Sequence, residues 1–475
     1  MTRIQEMGWI EEAAAEVINP QSLKREDHPS RINLYRIRWI RTLLENRWPQ
    51  FMLRAFTLMA LVFTIVTALF GSRVGSHNFA IIMVWIAWWS TLKLGFIPFG
   101  GRSWCSICPI ALPGEWLQQG GILEKRKHRF GLNLRWPKQL KGSWLQSGGF
   151  LLIGLFSAIT LTDPQVTGWV LLALVFLAIG MSVVFEQRAF CSYICPIGGF
   201  SGMYAKAAPL ELRVIDQEIC NRHADKSCYE ACPWGLYPLA LKDSSACGLC
   251  MECLRACPKD NLALNVRPYG TDLGRPESTS RLDETMLALI MLGSALAFSA
   301  VFLGPWGWLK LSAFEIGSLN WFIYAASFLV LNLIFLPGIF TACVWLWKKF
   351  TRNGLPMKRL VASQSQGLLP LGLLAWIAFT ISFALPKLNV IPEVLNDPFG
   401  WGWNLLNISS PTRSVDVSGF SPILQVILLL VGVVWSTQVT NKLSKAAGEK
   451  RHMLNLPVLA FYLVYSFAML WLLVG

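Results

Sequence analysis

The chain has 475 residues, of which 54% are apolar and only 15% charged. That balance excludes an intrinsically disordered chain and argues against an ordinary soluble enzyme. The formal net charge of +14 would point to nucleic acid in a soluble protein, but in so apolar a chain it reads as Lys and Arg gathered in loops on one side of a membrane.

Residues 1–50 carry Arg31, Arg36, Arg38, Arg41 and Arg47, early acidic residues and no hydrophobic stretch, so they read as a cytoplasmic N-terminal segment and not as a cleaved signal peptide. A bilayer crossing takes roughly 20 apolar residues, and nine candidate spans follow, near 51–70, 79–99, 144–162, 167–186, 284–304, 319–347, 361–385, 421–440 and 454–474. The sixth contains Pro337-Gly338, which predicts a kink or break. Basic loops alternate with neutral ones: Lys125, Arg126, Lys127 and Arg129 lie between spans two and three, Lys348, Lys349 and Arg352 between six and seven, and Lys442, Lys445, Lys450 and Arg451 between eight and nine. The positive-inside rule then sets the N-terminus in the cytoplasm and the C-terminus in the periplasm of a multi-pass inner-membrane protein. The basic loops read as topology signals and lipid headgroup contacts rather than a nucleic-acid surface. Ionisable groups within spans (Arg54, Lys93, Glu186) are expected near span ends.

Eleven of the twelve cysteines lie between Cys105 and Cys257; Cys343 sits alone in a span and reads as packing. After span two comes Phe99-Gly-Gly-Arg102-Ser-Trp104-Cys105-Ser-Ile-Cys108-Pro109-Ile110. After span four comes Phe185-Glu-Gln-Arg188-Ala-Phe190-Cys191-Ser-Tyr-Ile-Cys195-Pro196-Ile197. The two stretches are copies: each unit is a pair of spans followed by an arginine, an aromatic and a Cys pair ending in Pro. Both pairs should emerge on one side and approach each other. Arg102 and Arg188 would offset the charge of a thiolate-ligated centre.

Between spans four and five, Cys247-Gly-Leu-Cys250-Met-Glu-Cys253-Leu-Arg-Ala-Cys257-Pro258 has the C-x2-C-x2-C-x3-C-P spacing of bacterial ferredoxins. Two-residue gaps wrap three thiolates around one face of a cubane, and the fourth cysteine turns toward a second cluster. The partner run is Cys220-x7-Cys228-x3-Cys232-Pro233. Ligand exchange between the runs gives Cys247, Cys250, Cys253 and Cys232 to one [4Fe–4S] cluster. Cys220, Cys228 and Cys257 begin a second, one ligand short. His223 stands where a cysteine would be usual and is the candidate fourth ligand, since imidazole binds iron in Rieske centres; a three-iron cluster, an outside ligand or a solvated His are the alternatives. Zinc sites use separated C-x2-C pairs, and a disulfide framework does not suit the reducing cytoplasm. Eleven cysteines plus His223 make the ligand set of three cubanes, so Cys105, Cys108, Cys191 and Cys195 are candidates for a third metal centre at the membrane boundary. A redox dithiol pair or plain structural thiols are the other readings.

The fold class is thus an all-α polytopic membrane protein with an inserted small α+β ferredoxin-like domain. Its units are the segment 1–50, a four-helix membrane unit over 51–200, the ferredoxin-like domain over 201–275 and a five-helix membrane unit over 284–475. His residues are limited to 28, 77, 128, 223 and 452, none mid-span, which leaves no bis-His haem site in the bilayer. No nucleotide loop occurs.

The paired Cys-Pro motifs and the ferredoxin run resemble the NapH/NosR group of membrane-bound polyferredoxin-like proteins, over roughly residues 50–270. The resemblance implies electron transfer to a respiratory reductase or to assembly of its metal site, with quinol as the donor suggested for the NapH branch. The chain lacks the flavin-attachment motif of NosR-like proteins, and spans 284–474 have no counterpart in the group. The reading is an integral membrane iron–sulfur electron-transfer protein between a quinol or cytoplasmic donor and a redox partner protein or enzyme complex. It could be a quinol dehydrogenase or an electron-transfer subunit of an oxidoreductase. The rival is a maturation factor that uses its clusters to reduce a metal.

Overall fold

Where water is absent, a backbone must satisfy its own N–H and C=O groups, so long apolar stretches fold as helices. The computed structural model describes residues 31–121, 130–275, 281–407, 419–447 and 455–474. Among these are eight helices long and apolar enough to cross a membrane: Arg47–Phe70, Phe79–Gly100, Pro164–Val184, Leu282–Phe302, Leu319–Thr351, Met357–Lys387, Ser421–Ala446 and Leu456–Val474. The polytopic α-helical reading is correct. The basic residues Lys125, Arg126, Lys127, Arg129, Lys450 and Arg451, and His28, His128 and His452, fall outside the described residues.

Two spans differ from expectation in form. The third is shorter and built of two pieces, Trp144–Leu155 and Ser157–Thr160, joined at Phe156. Gly148, Gly149 and Gly154 lie in this stretch, and glycine weakens helix continuity. Two of them serve packing: a Cβ on Gly154 would stand 2.9 Å from the Phe328 ring, and one on Gly149 3.0 Å from Pro196. The sixth does not break at Pro337. A π turn over Leu331–Phe335 precedes the proline, and this wider turn takes up the missing N–H and the ring's bulk within one continuous helix.

The helices Leu282–Phe302 and Met357–Lys387 are the most buried of the spans. They sit at the centre of a single core that also takes Ile82, Ile86 and Leu92 from the second span, Phe150 from the third and Phe200. Both membrane units therefore share one interior. Cys343 is half-buried and packs against that core.

Outside the bundle stands a three-stranded sheet. Strands β1 (Ile32–Asn33), β2 (Leu210–Val214) and β3 (Leu262–Val266) run in the order β1-β3-β2, both pairings antiparallel. Leu212, Leu262 and Leu264 turn inward onto Tyr35, Cys228, Cys253 and Leu254. The N-terminal segment thus completes the sheet of the cysteine-rich domain, and Arg255 Nε donates to the Leu44 carbonyl at 2.7 Å. At the other end of the bundle, Ser72 donates its N–H to the Phe399 carbonyl and Phe79 to that of Pro398. There Phe399, Trp401 and Trp403 stack at 4.4–5.4 Å, with both indoles exposed, as suits a membrane–water interface.

Candidate metal centre

The geometry begins with the arginines. In the first copy of the duplicated motif, Arg102 donates Nη2 to the Cys191 carbonyl at 2.6 Å. In the second copy, Arg188 donates Nη1 to the Cys105 carbonyl. Each copy's arginine therefore holds the cysteine loop of the other, and the duplication closes on itself as a pseudo-symmetric pair. Arg188 is also buried against Glu115 in an ion pair, and its guanidinium lies 4.4 Å over the Trp234 ring. Arg54 donates Nε to the Ser106 carbonyl at 3.0 Å.

Cys108, Cys191 and Cys195 belong to one packed group with Phe190 and Ala178. Burial pushes the thiol of Cys108 up to about 12, with Cys191 and Cys105 adding to the rise, and that of Cys191 up to about 11, with Cys105 again contributing. Cys195 is raised by burial and by Cys191, Cys108 and Cys105. Four thiols within electrostatic reach of one another, of which Cys108, Cys191 and Cys195 resist ionisation, fit a cationic metal core that would neutralise them together. Cys195 starts the helix Pro196–Tyr204 and its Sγ accepts the Gly198 N–H at 3.4 Å. Gly198 is needed for this approach, since a Cβ there would stand 2.5 Å from the Cys191 carbonyl oxygen.

In the cysteine-rich segment beside the sheet, Leu249 and Met251 adopt positive φ of 51° and 64°. These left-handed turns, uncommon for such residues, curl Cys247, Cys250 and Cys253 inward. With Cys232 they line a small pocket, walled also by Leu212, Trp234, Leu236, Pro238 and Leu241. The four residues are the set that ligand exchange between the two runs predicts. Burial raises Cys250, with Cys232 and Cys247 contributing, and raises Cys253, on which Cys228 also acts.

The third set is Cys220, Cys228 and Cys257. Burial raises the Cys220 and Cys228 thiols, and Cys257 adds to both. Asn261 binds two of the three sulfurs: Nδ2 donates to Cys220 Sγ at 3.2 Å and its backbone N–H to Cys257 Sγ at 3.4 Å. His223 ends the helix Gln217–Arg222; its Nδ1 is buried without a hydrogen-bond partner among the described residues. An orphaned imidazole nitrogen of this kind fits a metal ligand. Among the described residues no group of three His, Cys, Asp or Glu side chains is drawn together as a metal site.

The sets are contiguous. Cys105 of the duplicated motif packs with Cys232, Cys250 and Trp234 of the cysteine-rich segment. Arg102 Nη1 reaches the Ser245 carbonyl at 3.2 Å, and the Arg188 N–H donates to the Pro233 carbonyl at 2.9 Å. Trp234 fills the junction and presses on Gly248, where a Cβ would lie 2.3 Å from the ring. Gly248→Ala is expected to displace Trp234 at a cost of about 1–3 kcal/mol, the usual penalty of overpacking, seen as a lower melting temperature of the purified protein and a changed EPR line shape for one cluster.

Sequence reasoning found every cysteine but assigned the two motif arginines only to charge compensation. It did not find Glu115 or Asn261, which no spacing rule marks.

Residues 81–133 and 167–214 match the family of the 4Fe-4S binding domain; both matched stretches contain one copy of the duplicated motif. Over 166 residues the chain is 26% identical to the methylamine utilization ferredoxin-type protein MauN of Paracoccus denitrificans (strain Pd 1222), a match covering 30% of this chain and 52% of the relative. Over 111 residues it is 32% identical to the ferredoxin-type protein NapH of Haemophilus influenzae (strain ATCC 51907 / DSM 11121 / KW20 / Rd), covering 21% of this chain and 37% of the relative. The chain thus spans about half or less of the length of these curated relatives. No solved structure matches it. With the apolar helices, these likenesses support a multi-pass membrane iron–sulfur protein similar to the NapH and MauN ferredoxin-type proteins over the two matched stretches.

Proposed function

We propose that this chain relays single electrons along the membrane surface, between a quinol or cytoplasmic donor and a respiratory redox partner protein. Its cysteines hold three [4Fe–4S] clusters: Cys220, Cys228 and Cys257 with His223 for the outermost, Cys232, Cys247, Cys250 and Cys253 for the middle one, and Cys105, Cys108, Cys191 and Cys195 for the one at the membrane boundary. Each cluster, when bound, supplies a one-electron couple whose potential depends on ligand type, burial and hydrogen bonds to sulfur. In this reading the domain over 201–275, closed by the N-terminal strand, lies on the cytoplasmic side with residues 1–50, and the C-terminus is periplasmic.

The observation that carries the reading is the packing of Cys105 in one buried cluster with Cys232, Cys250 and Trp234, which joins the membrane motif to the ferredoxin run. Burial and the crossing arginines fix the thiolates in place. Asn261 stabilises the more negative, reduced state by donating to Cys220 Sγ. Asn261→Leu is therefore expected to shift one midpoint potential negative by tens of millivolts, less than the ~59 mV of a tenfold change in a one-electron equilibrium.

The test of the reading is an anaerobic EPR redox titration of the purified protein. Reduced clusters this close should give signals broadened by their neighbours, with separate midpoints. Isolated, non-interacting signals, or zinc in place of iron, would overturn the relay.

A further inference from the structure

Between the spans Leu282–Phe302 and Leu319–Thr351 the chain folds back as a helical hairpin. The first of these spans starts beside the cysteine-rich segment, where Glu284 Oε2 accepts from Lys206 Nζ at 2.8 Å, and its length carries the chain about 30 Å away. The hairpin therefore stands at the opposite end of the bundle, where Trp306 meets Trp471 of the last span at 5.3 Å. Its limbs are the short helix Gly307–Phe314 and the helix Leu319–Val330. In the turn between them Gly317 takes a φ of 91°, a conformation that favours glycine. Ser318 fixes the reversal: its N–H donates to the Glu315 carbonyl at 3.0 Å, and its Oγ accepts the Trp321 N–H at 3.1 Å.

The limbs carry matched faces. Trp308, Ser312 and Glu315 recur at i, i+4 and i+7, and Asn320, Tyr324 and Ser327 repeat that spacing, so each triplet shares one side of its limb. Together they line a cleft of about 420 Å³, a volume that small ligands occupy. The polar groups there are short of partners. Tyr324 is 4% exposed, and its hydroxyl, near Ser157, makes no hydrogen bond of good geometry among the described residues. Ser312 Oγ already donates to the Trp308 carbonyl at 2.8 Å, so it offers the cleft lone pairs. Glu315 has no ion pair among the described residues. No Lys, Arg or His lines the cleft; Lys310 of the same short helix lies within electrostatic reach of Lys387 instead. A solvated surface acid would account for Glu315 by itself, but not for the enclosed Tyr324 hydroxyl or for two polar faces turned toward each other.

We propose that this cleft holds the head group of a phospholipid bearing a primary ammonium, with Glu315 as its counter-ion. An ammonium has N–H donors and no acceptor, and it meets a carboxylate and serine oxygens, with the Trp308 ring as a cation-attracting face. Asn320 and Tyr324 carry the N–H and O–H groups that a lipid phosphate accepts. The acyl chains have an apolar track to follow, since Leu311, Leu319, Phe322 and Ile323 are all exposed on the hairpin. The tryptophans at this end of the bundle suit the depth at which head groups lie. An anionic lipid without an ammonium would set its charge against an uncompensated carboxylate, and a quaternary ammonium has no N–H to donate. The chemistry is thus the reverse of the anionic head groups that the basic loops attract. The inference goes beyond the electron relay and does not depend on it, because the hairpin contains no cysteine.

The test is binding of phosphatidylethanolamine to the purified, delipidated, iron-loaded full chain in detergent, read by native mass spectrometry against phosphatidylcholine and phosphatidylglycerol with the same acyl chains. Phosphatidylethanolamine should be retained in preference to both. Binding should weaken about tenfold in Glu315→Gln, as loss of a charge-assisted hydrogen bond implies, and severalfold in Tyr324→Phe. Should Tyr324→Phe fail to fold, Ser327→Ala on the exposed side of the same face takes its place. No retained phosphatidylethanolamine, equal retention of either competing lipid, or undiminished binding by Glu315→Gln would overturn the site. Displacement of the lipid by free phosphoethanolamine at equal concentration would overturn it in favour of a water-borne ligand. Iron content, measured on the same samples, should be unchanged in every variant, so failure of the relay and failure of the lipid site are read separately.

Discussion

Cys250→Ala is expected to remove about four iron atoms per chain, one cubane's content, and to sever the outer cluster from the membrane boundary. The size of the effect follows from position. Cys250 is a wall of the cavity formed with Cys232, Cys247 and Cys253, and it is also packed against Cys105 and Trp234. Loss of this thiolate leaves the middle set with three, while the Cys105–Cys195 and Cys220–Cys257 sets keep theirs. The EPR spectrum of the reduced variant should lose one component and the broadening that it imposed on the others. Reduction of the boundary signal by a donor acting at the soluble domain should slow by orders of magnitude, as followed by rapid freeze-quench. Retention of the full iron content would remove Cys250 from the ligand set.

Arg188→Met is expected to be the most destabilising single change outside the cysteines. Arg188 and Glu115 are almost wholly buried as a pair, and removing one partner of such a pair typically costs about 3–5 kcal/mol because the other charge is left unpaired. Here the loss is compounded. The same guanidinium holds the Cys105 carbonyl and covers Trp234, so the boundary loop loses its cross-tie and the junction its lid. The melting temperature in detergent should fall sharply, and the boundary cluster should be lost first. Replacing both partners (Arg188→Met with Glu115→Leu) should recover much of the stability, since no buried carboxylate then remains, but not the line shape of the boundary signal, which depends on the lost tie to Cys105. Equal stability of the single and double variants would show that the pair is not the cause.

How much of this was readable in the residues depends on the kind of signal. Cysteine spacing is an imprint of ligand geometry: interleaving assigns Cys232 to the run of Cys247, Cys250 and Cys253, and these four residues line one pocket. The spans could be read because apolar length is what a bilayer demands. The third was legible as a hydrophobic stretch, but its division at Phe156 was not, because that depends on what Gly149 and Gly154 pack against. Pro337 looked like a break; the π turn at Leu331–Phe335 that absorbs it is a property of the folded helix. The duplication was plain, yet its meaning was not. Arg102 and Arg188 reach backbone carbonyls of the opposite copy, and backbone acceptors leave no mark in sequence. The burial of Lys93 was not legible for a related reason. Its enclosure is made by Trp376 and Phe379, far along the chain, and no periodicity within the second span reports on them.

The central claim is that the twelve donors of this chain, eleven thiolates and one imidazole, are partitioned among three cubanes. Iron and acid-labile sulfide counted in anaerobically purified protein test it most directly. About twelve of each per chain, four for every cubane, with about four of each lost on replacing Cys105 and Cys108 by Ser, is the expected result. Zinc without sulfide, or an iron content that the Cys105 and Cys108 replacements leave untouched, would contradict it.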